Sequence, residues 1–195
     1  GRRLVEPRMV FAFAGQGGTW WGMAHGLMKE DPIFRAAVEE IDAPFRELAG
    51  WSVGEELLRT EANYRSSTLY QLPTLFAVQV GLVARWRAWG ITPAMIIGHS
   101  SGELAAAHAA GILSTPDAVK LLYHRARLQA TQEGRGTIAA IALSRADMER
   151  QLEEWGITRV DIAAVNGTSM INIAGDNDAI QEVVRKLKEK HGEDF

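Results

Sequence analysis

Apolar positions along this chain follow two alternating patterns, short uninterrupted runs and longer stripes at helical spacing. Residues 9–14 (Met-Val-Phe-Ala-Phe-Ala) form the first run, and Gly15-Gln16-Gly17-Gly18 stops it. That predicts a buried strand ended by a glycine turn. Helical stripes follow over residues 20–28, 32–41 and about 53–58. Residues 72–89 are apolar on nearly all sides until Arg85, which predicts a central buried helix. Residues 94–97 predict a second short buried strand, running straight into Gly98-His99-Ser100-Ser101-Gly102-Glu103. The alanine-rich stretch 104–110 behind it predicts a helix that Gly111 ends. Ser114-Thr115-Pro116-Asp117 then supplies a hydroxyl cap, a proline in the first turn and an acid, opening a helix that reaches about Gln132.

Gly134-Arg135-Gly136 is the best internal boundary. Beyond it the pattern predicts strand (137–143), helix (146–155), strand (160–165), strand (169–174) and helix (177–190), with Ser144 and Asp176 as N-caps. This β-α-β-β-α order is a ferredoxin-like unit without its last strand. The expected organisation is therefore a linker (1–8), a larger subdomain (9–136) and a smaller one (137–195) that stops partway.

Composition narrows the class. With 195 residues, 47% of them hydrophobic, the chain is long enough for a proper core and too apolar for disorder. A net charge of −3 offers no basic footprint for nucleic acid. The absence of cysteine excludes a disulfide scaffold, a thiol nucleophile and a cysteine-based zinc site, and agrees with a reducing cytoplasm. The five histidines show no HxxxH or HExxH spacing, so no metal site is expected. The longest nearly apolar stretch, 72–84, is shorter than the ~20 residues of a membrane span. No apolar core follows the N-terminal charges before Met9, unlike a signal peptide. The expectation is a soluble, cytoplasmic α/β protein.

Gly98-His99-Ser100-Ser101-Gly102 matches the G-x-S-x-G nucleophile elbow, with a strand before it and a helix after it as the chemistry requires. Ser100 is then presented at a helix N-terminus, where free N–H groups favour developing negative charge. The competing reading is a structural turn. An acyl-transfer nucleophile also needs an oxyanion hole. The Ser101 N–H is one expected donor, and the 15–18 loop is the candidate for the second, unless it is a plain glycine turn. On the helix after Asp117, Arg125 stands in register with Ala118, Leu121, Leu122 and Leu128, so it is expected to face inward. A buried guanidinium needs a carboxylate, either an internal one or a substrate's. His99 and His108 are expected to serve packing, Arg127 the surface, and Trp20-Trp21 the core or a pocket wall.

Several of these segments, taken in order, resemble one family. They are Phe11-Ala12-Phe13-Ala14-Gly15-Gln16-Gly17, Gln71-Leu72-Pro73, the 98–107 elbow and helix, Tyr123-His124-Arg125 and Val165-Asn166-Gly167. The chain is similar throughout to the acyltransferase domain of type I modular polyketide synthases, and more distantly to malonyl-CoA:acyl carrier protein transacylases. The resemblance implies an α/β-hydrolase-like large subdomain with an inserted ferredoxin-like small one. It implies Ser100 as acyl-accepting nucleophile, Gln16 and Ser101 as backbone oxyanion donors, and Arg125 as clamp for the extender carboxylate. Gln71 and His99 would line the same pocket. The implied partners are malonyl-CoA or methylmalonyl-CoA, the phosphopantetheine arm of an acyl carrier protein and neighbouring synthase domains, and the implied chemistry needs no metal or organic cofactor. Two positions depart from the pattern, Gly18-Thr19 after the glutamine and Ser101 after the nucleophile. Other readings are a serine hydrolase or thioesterase on the same elbow, and a non-catalytic scaffold piece. No histidine is well placed as base for Ser100. The expectation is that a following segment carries it, the family placing that histidine just after the small subdomain.

Overall fold

The computed structural model describes residues 8–192; residues 1–7, most of the expected linker, lie outside them. Strand β1 (Val10–Phe13) pairs in parallel with β2 (Met95–Gly98), in a register that sets Phe13 opposite Gly98. Both strands were expected to be buried, and here the structure differs. Of their side chains only Phe13 is buried, while Val10, Met95 and Ile97 are largely exposed. Apolar parallel strands are covered when further elements flank both faces, and a two-stranded sheet supplies few of them.

Helices fill the interval between the strands. Helix α1 (His25–Glu30) is shorter than the predicted 20–28 stripe, because Gly22 and Gly26 weaken it and no side chain caps its start. Helix α2 (Pro32–Ala49) begins at Asp31, whose carboxylate accepts from the N–H groups of Ile33 (3.0 Å) and Phe34 (3.1 Å). It passes through Pro44, well beyond the predicted end at Ile41. Phe34, Val38, Ile41 and Phe45 continue one buried face, and that burial outweighs the lost backbone bond. Gly50, in the left-handed conformation at φ 74°, ends it. After α3 (Val53–Leu57) comes α4 (Thr68–Ala88), which starts four residues earlier than the apolar run because Ser67 caps Leu69. As predicted, α4 lies at the centre, carrying Leu72, Phe76, Ala77 and Val83 into the core. A Cβ on Gly81 would lie 2.6 Å from the Phe34 ring, so glycine there permits the close crossing with α2.

Asp42 is buried on α2 and organises the start of α3. Its carboxylate accepts from Ser52 Oγ (2.7 Å), the Val53 N–H (2.5 Å), the Gly54 N–H (3.3 Å) and Arg46 (3.0 Å). Asp42→Ala strands the hydroxyl and both N–H groups. Stability is expected to fall by about 2–4 kcal/mol, seen as a lower urea midpoint with an unchanged slope.

Helices α5 (Gly102–Ala109) and α6 (Thr115–Ala130) follow β2, with Gly111 (φ 75°) between them and Ser114 capping Asp117 as predicted. The described residues fall into two compact units, dividing between Thr131 and Gln132. The second contains β3 (Thr137–Ile141), α7 (Arg145–Trp155), β4 (Val160–Gly167), β5 (Met170–Gly175) and α8 (Asn177–His191). These elements follow the order the periodicity predicts. The sheet order is β3-β5-β4, antiparallel throughout, and Ile141, Met148, Ile171, Ile173, Val183 and Leu187 build its own core. Ser144 caps α7 as expected. Asp176 does not cap α8: its carboxylate pairs with Arg159 at 2.9 Å instead.

Candidate active site

The turn between β2 and α5 has the geometry of a nucleophile elbow. Ser100 has φ 55° and is the one non-glycine residue at positive φ among those described. That conformation costs an L-residue about 1–2 kcal/mol, so its surroundings must enforce it. Two glycines do so. A Cβ on Gly98 would lie 2.6 Å from the Glu103 N–H nitrogen, and one on Gly102 would overlap the Phe13 carbonyl at the end of β1. The His99 N–H donates to the Phe13 carbonyl (3.0 Å), while the Gly102 and Glu103 N–H groups donate to the carbonyls of His99 (2.9 Å) and Ser100 (3.1 Å). Ser100 is thereby exposed at the N-terminal end of α5, where the dipole is positive.

The glycine loop after β1 lies against this turn. A Cβ on Gly15 would sit 3.1 Å from Ser100 Cβ and 3.0 Å from the His99 carbonyl, so a side chain there would press its neighbours back by a few tenths of an ångström. Gln16 is the next residue, and its Oε1 accepts from Gln129 Nε2 of α6 at 2.7 Å. Ser101 heads α5, and its Oγ is buried with no hydrogen-bond partner among the described residues. The structure thus brings Gln16, His99, Ser100 and Ser101 together. Gln71 lies on α4, where its Nε2 donates to Tyr64 Oη at 3.2 Å. Gln129 was missed by the sequence reading; its one legible signal was a spacing of four from Arg125.

Arg125 does not face inward as expected. The buried stripe of α6 is Ala118, Val119, Leu122 and Ala126. Arg125 is exposed on another face, and so are Leu121 (52%) and Leu128 (57%), which had marked the expected inward side. Apolar spacing alone could not tell which of two overlapping stripes meets α2 and α4. Among the described residues Arg125 has no ion-pair partner, so of the two alternatives the internal carboxylate is not found among them. Arg127 is exposed as expected. His99 is exposed rather than packed in the core, because it borders the glycine loop. Trp20, at 53% exposed, is likewise no core residue.

No histidine hydrogen-bonds Ser100 among the described residues. His25 Nε2 bonds the Arg59 carbonyl (2.9 Å), and His124 stands edge-on to Tyr123. His108 serves packing, as expected: it bonds Thr115 Oγ1 (3.3 Å) and meets the Phe76 ring edge-on. Burial holds its imidazole below the ordinary histidine value. Among the described residues no helix is long and apolar enough to cross a membrane.

The fold and this turn define a mixed α/β protein that presents a serine at a strand-to-helix elbow. Residues 10–193 match the family model of the acyl transferase domain, and the chain belongs to that family. Erythronolide synthase EryA2 of Saccharopolyspora erythraea is 37% identical over 174 residues, which span 89% of this chain and 5% of the synthase. The highly reducing polyketide synthase sor1 of Hypocrea jecorina is 39% identical, over 93% of this chain and 7% of its own length. The chain is thus a small fraction of the length of the curated relatives it matches. Among solved structures, a loading acyltransferase from the avermectin modular polyketide synthase superposes with a TM-score of 0.85 at 34% identity, covering 94% of this chain and 59% of its own. A malonyl CoA-acyl carrier protein transacylase from Burkholderia pseudomallei does so with a TM-score of 0.78 at 28% identity, over 92% and 60%.

Proposed function

We propose that the chain carries the acyl-transfer site of a polyketide synthase, moving an α-carboxyacyl extender unit from CoA to an acyl carrier protein. The observation that carries this reading is Ser100 held at φ 55° on the elbow, beside the Gln16 loop. Ser100 Oγ attacks the thioester carbonyl and CoA leaves as the thiol; the phosphopantetheine thiol of the carrier then takes the acyl group from the serine ester. The N–H groups of Gln16 and Ser101 receive the oxyanion in both steps. Arg125 is proposed to hold the extender carboxylate, and its lack of an ion-pair partner among the described residues supports this. Gln71 and His99 are proposed to line the substrate site.

The two units are proposed as an α/β-hydrolase-like part and a ferredoxin-like part, supported by the parallel β1–β2 pair and by the β3-β5-β4 order. Malonyl-CoA or methylmalonyl-CoA, a carrier protein and neighbouring synthase domains are the proposed partners, in the cytoplasm.

The test is to give the acyltransferase domain malonyl-CoA or methylmalonyl-CoA with and without carrier protein. Loading of the carrier is expected to outpace release of free acid. Release of acid without any loading would make the protein a thioesterase.

A further inference from the structure

The loop between β1 and α1 has little packing of its own. Gly17 has φ 118°, and a Cβ on Gly17 or Gly18 would meet nothing within 4 Å. Two side chains from distant helices hold this loop instead. Gln79 Nε2 of α4 donates to the Ala14 carbonyl at 2.8 Å, and Gln129 Nε2 of α6 donates to Gln16 Oε1 at 2.7 Å across 113 positions of sequence. Gly15 lies between the two anchored residues and directly against Ser100. A tether on the Gln16 side chain therefore acts on the backbone next to the nucleophile.

We propose that Gln129 is a positioning residue for acyl transfer, holding Gln16 so that its backbone N–H faces the oxyanion formed at Ser100. The proposal rests on the reading of Ser100 and Gln16 given above. An oxyanion donor is effective because it is in place before the charge develops. A loop that is free to drift keeps the N–H but loses its aim, and a displacement of about 1 Å can cost up to about 100-fold. The loss falls on kcat, because the oxyanion exists only after attack, while KM is unmoved. Gln129 lies one helical turn beyond Arg125, so one face of α6 serves both the loop and the proposed carboxylate clamp.

The experiment uses the acyltransferase domain, with Ser100 acylation by malonyl-CoA followed by rapid quench and intact-mass spectrometry. Gln129→Met keeps length and helix propensity but no donor; Gln129→Lys keeps a donor. Gln129→Met is expected to acylate roughly 5- to 30-fold more slowly, with KM and Tm at their wild-type values, and Gln129→Lys to recover most of the rate. In a Gln16→Met background, Gln129→Met is expected to add nothing further, since both act through one contact. A wild-type acylation rate in Gln129→Met, equal losses in the Met and Lys variants, or fully additive losses with Gln16→Met would each overturn the assignment. Labelling of Ser100→Ala at the wild-type level would instead overturn the underlying reading of the nucleophile.

Discussion

Ser100→Ala is expected to abolish acyl-ester formation, with intact-mass spectrometry showing no malonyl adduct where the wild-type domain gains one. Removal of a serine nucleophile costs acyl-transfer enzymes about 10⁴- to 10⁶-fold in turnover, because binding and the oxyanion hole cannot replace the missing covalent step. The fold should be indifferent to this change, since alanine at φ 55° bears the same strain as serine. Ser100→Gly separates strain from chemistry. Glycine adopts that φ freely, so the variant is expected to be equally inactive yet more stable by about 1 kcal/mol, a rise of several degrees in Tm. An adduct of full yield on either variant would move the nucleophile elsewhere. An unchanged Tm in Ser100→Gly would mean that the elbow stores no strain at this residue.

Arg125→Ala is expected to cut kcat/KM for malonyl-CoA by about 10- to 150-fold, the worth of a hydrogen-bonded charge pair of roughly 1.5–3 kcal/mol. Acetyl-CoA has no carboxylate, so its kcat/KM should change little. Stability should also change little, because Arg125 is exposed and has no ion-pair partner among the described residues. Equal losses for both thioesters would assign Arg125 to structure rather than to recognition. Arg125→Lys keeps the charge without the planar fork and should recover only part of the rate.

Much of the architecture was legible along the chain. Period and punctuation located the strand–loop–strand frame, the elbow, the Ser114 and Ser144 caps and the order of elements in the second unit. These are local signals: a glycine or a capping hydroxyl acts within a few residues, whatever the rest of the chain does. Distant partners decided the rest. Helix α2 runs through Pro44 because Phe45 and the helices around it extend the core beyond the proline. Asp176 pairs with Arg159, seventeen positions away, instead of capping its own helix. Arg125 misled because α6 carries two apolar stripes, and only packing against α2 and α4 selected the one that is buried.

The sequence by itself determined the chemistry available to this protein: a serine between glycines that permit a turn too tight for side chains, a glycine loop after the first strand, and a helix to follow. Those features need no long-range information, since each follows from the absence of a Cβ or the placement of one hydroxyl. Only the tertiary structure decided what lies beside Ser100. The parallel pairing of β1 with β2 carries Gly15 onto the elbow from 85 positions away, and Gln129 of α6 reaches the same loop from the other end of the first unit. Such neighbours depend on how strands register and helices cross, and no spacing along the chain encodes that directly.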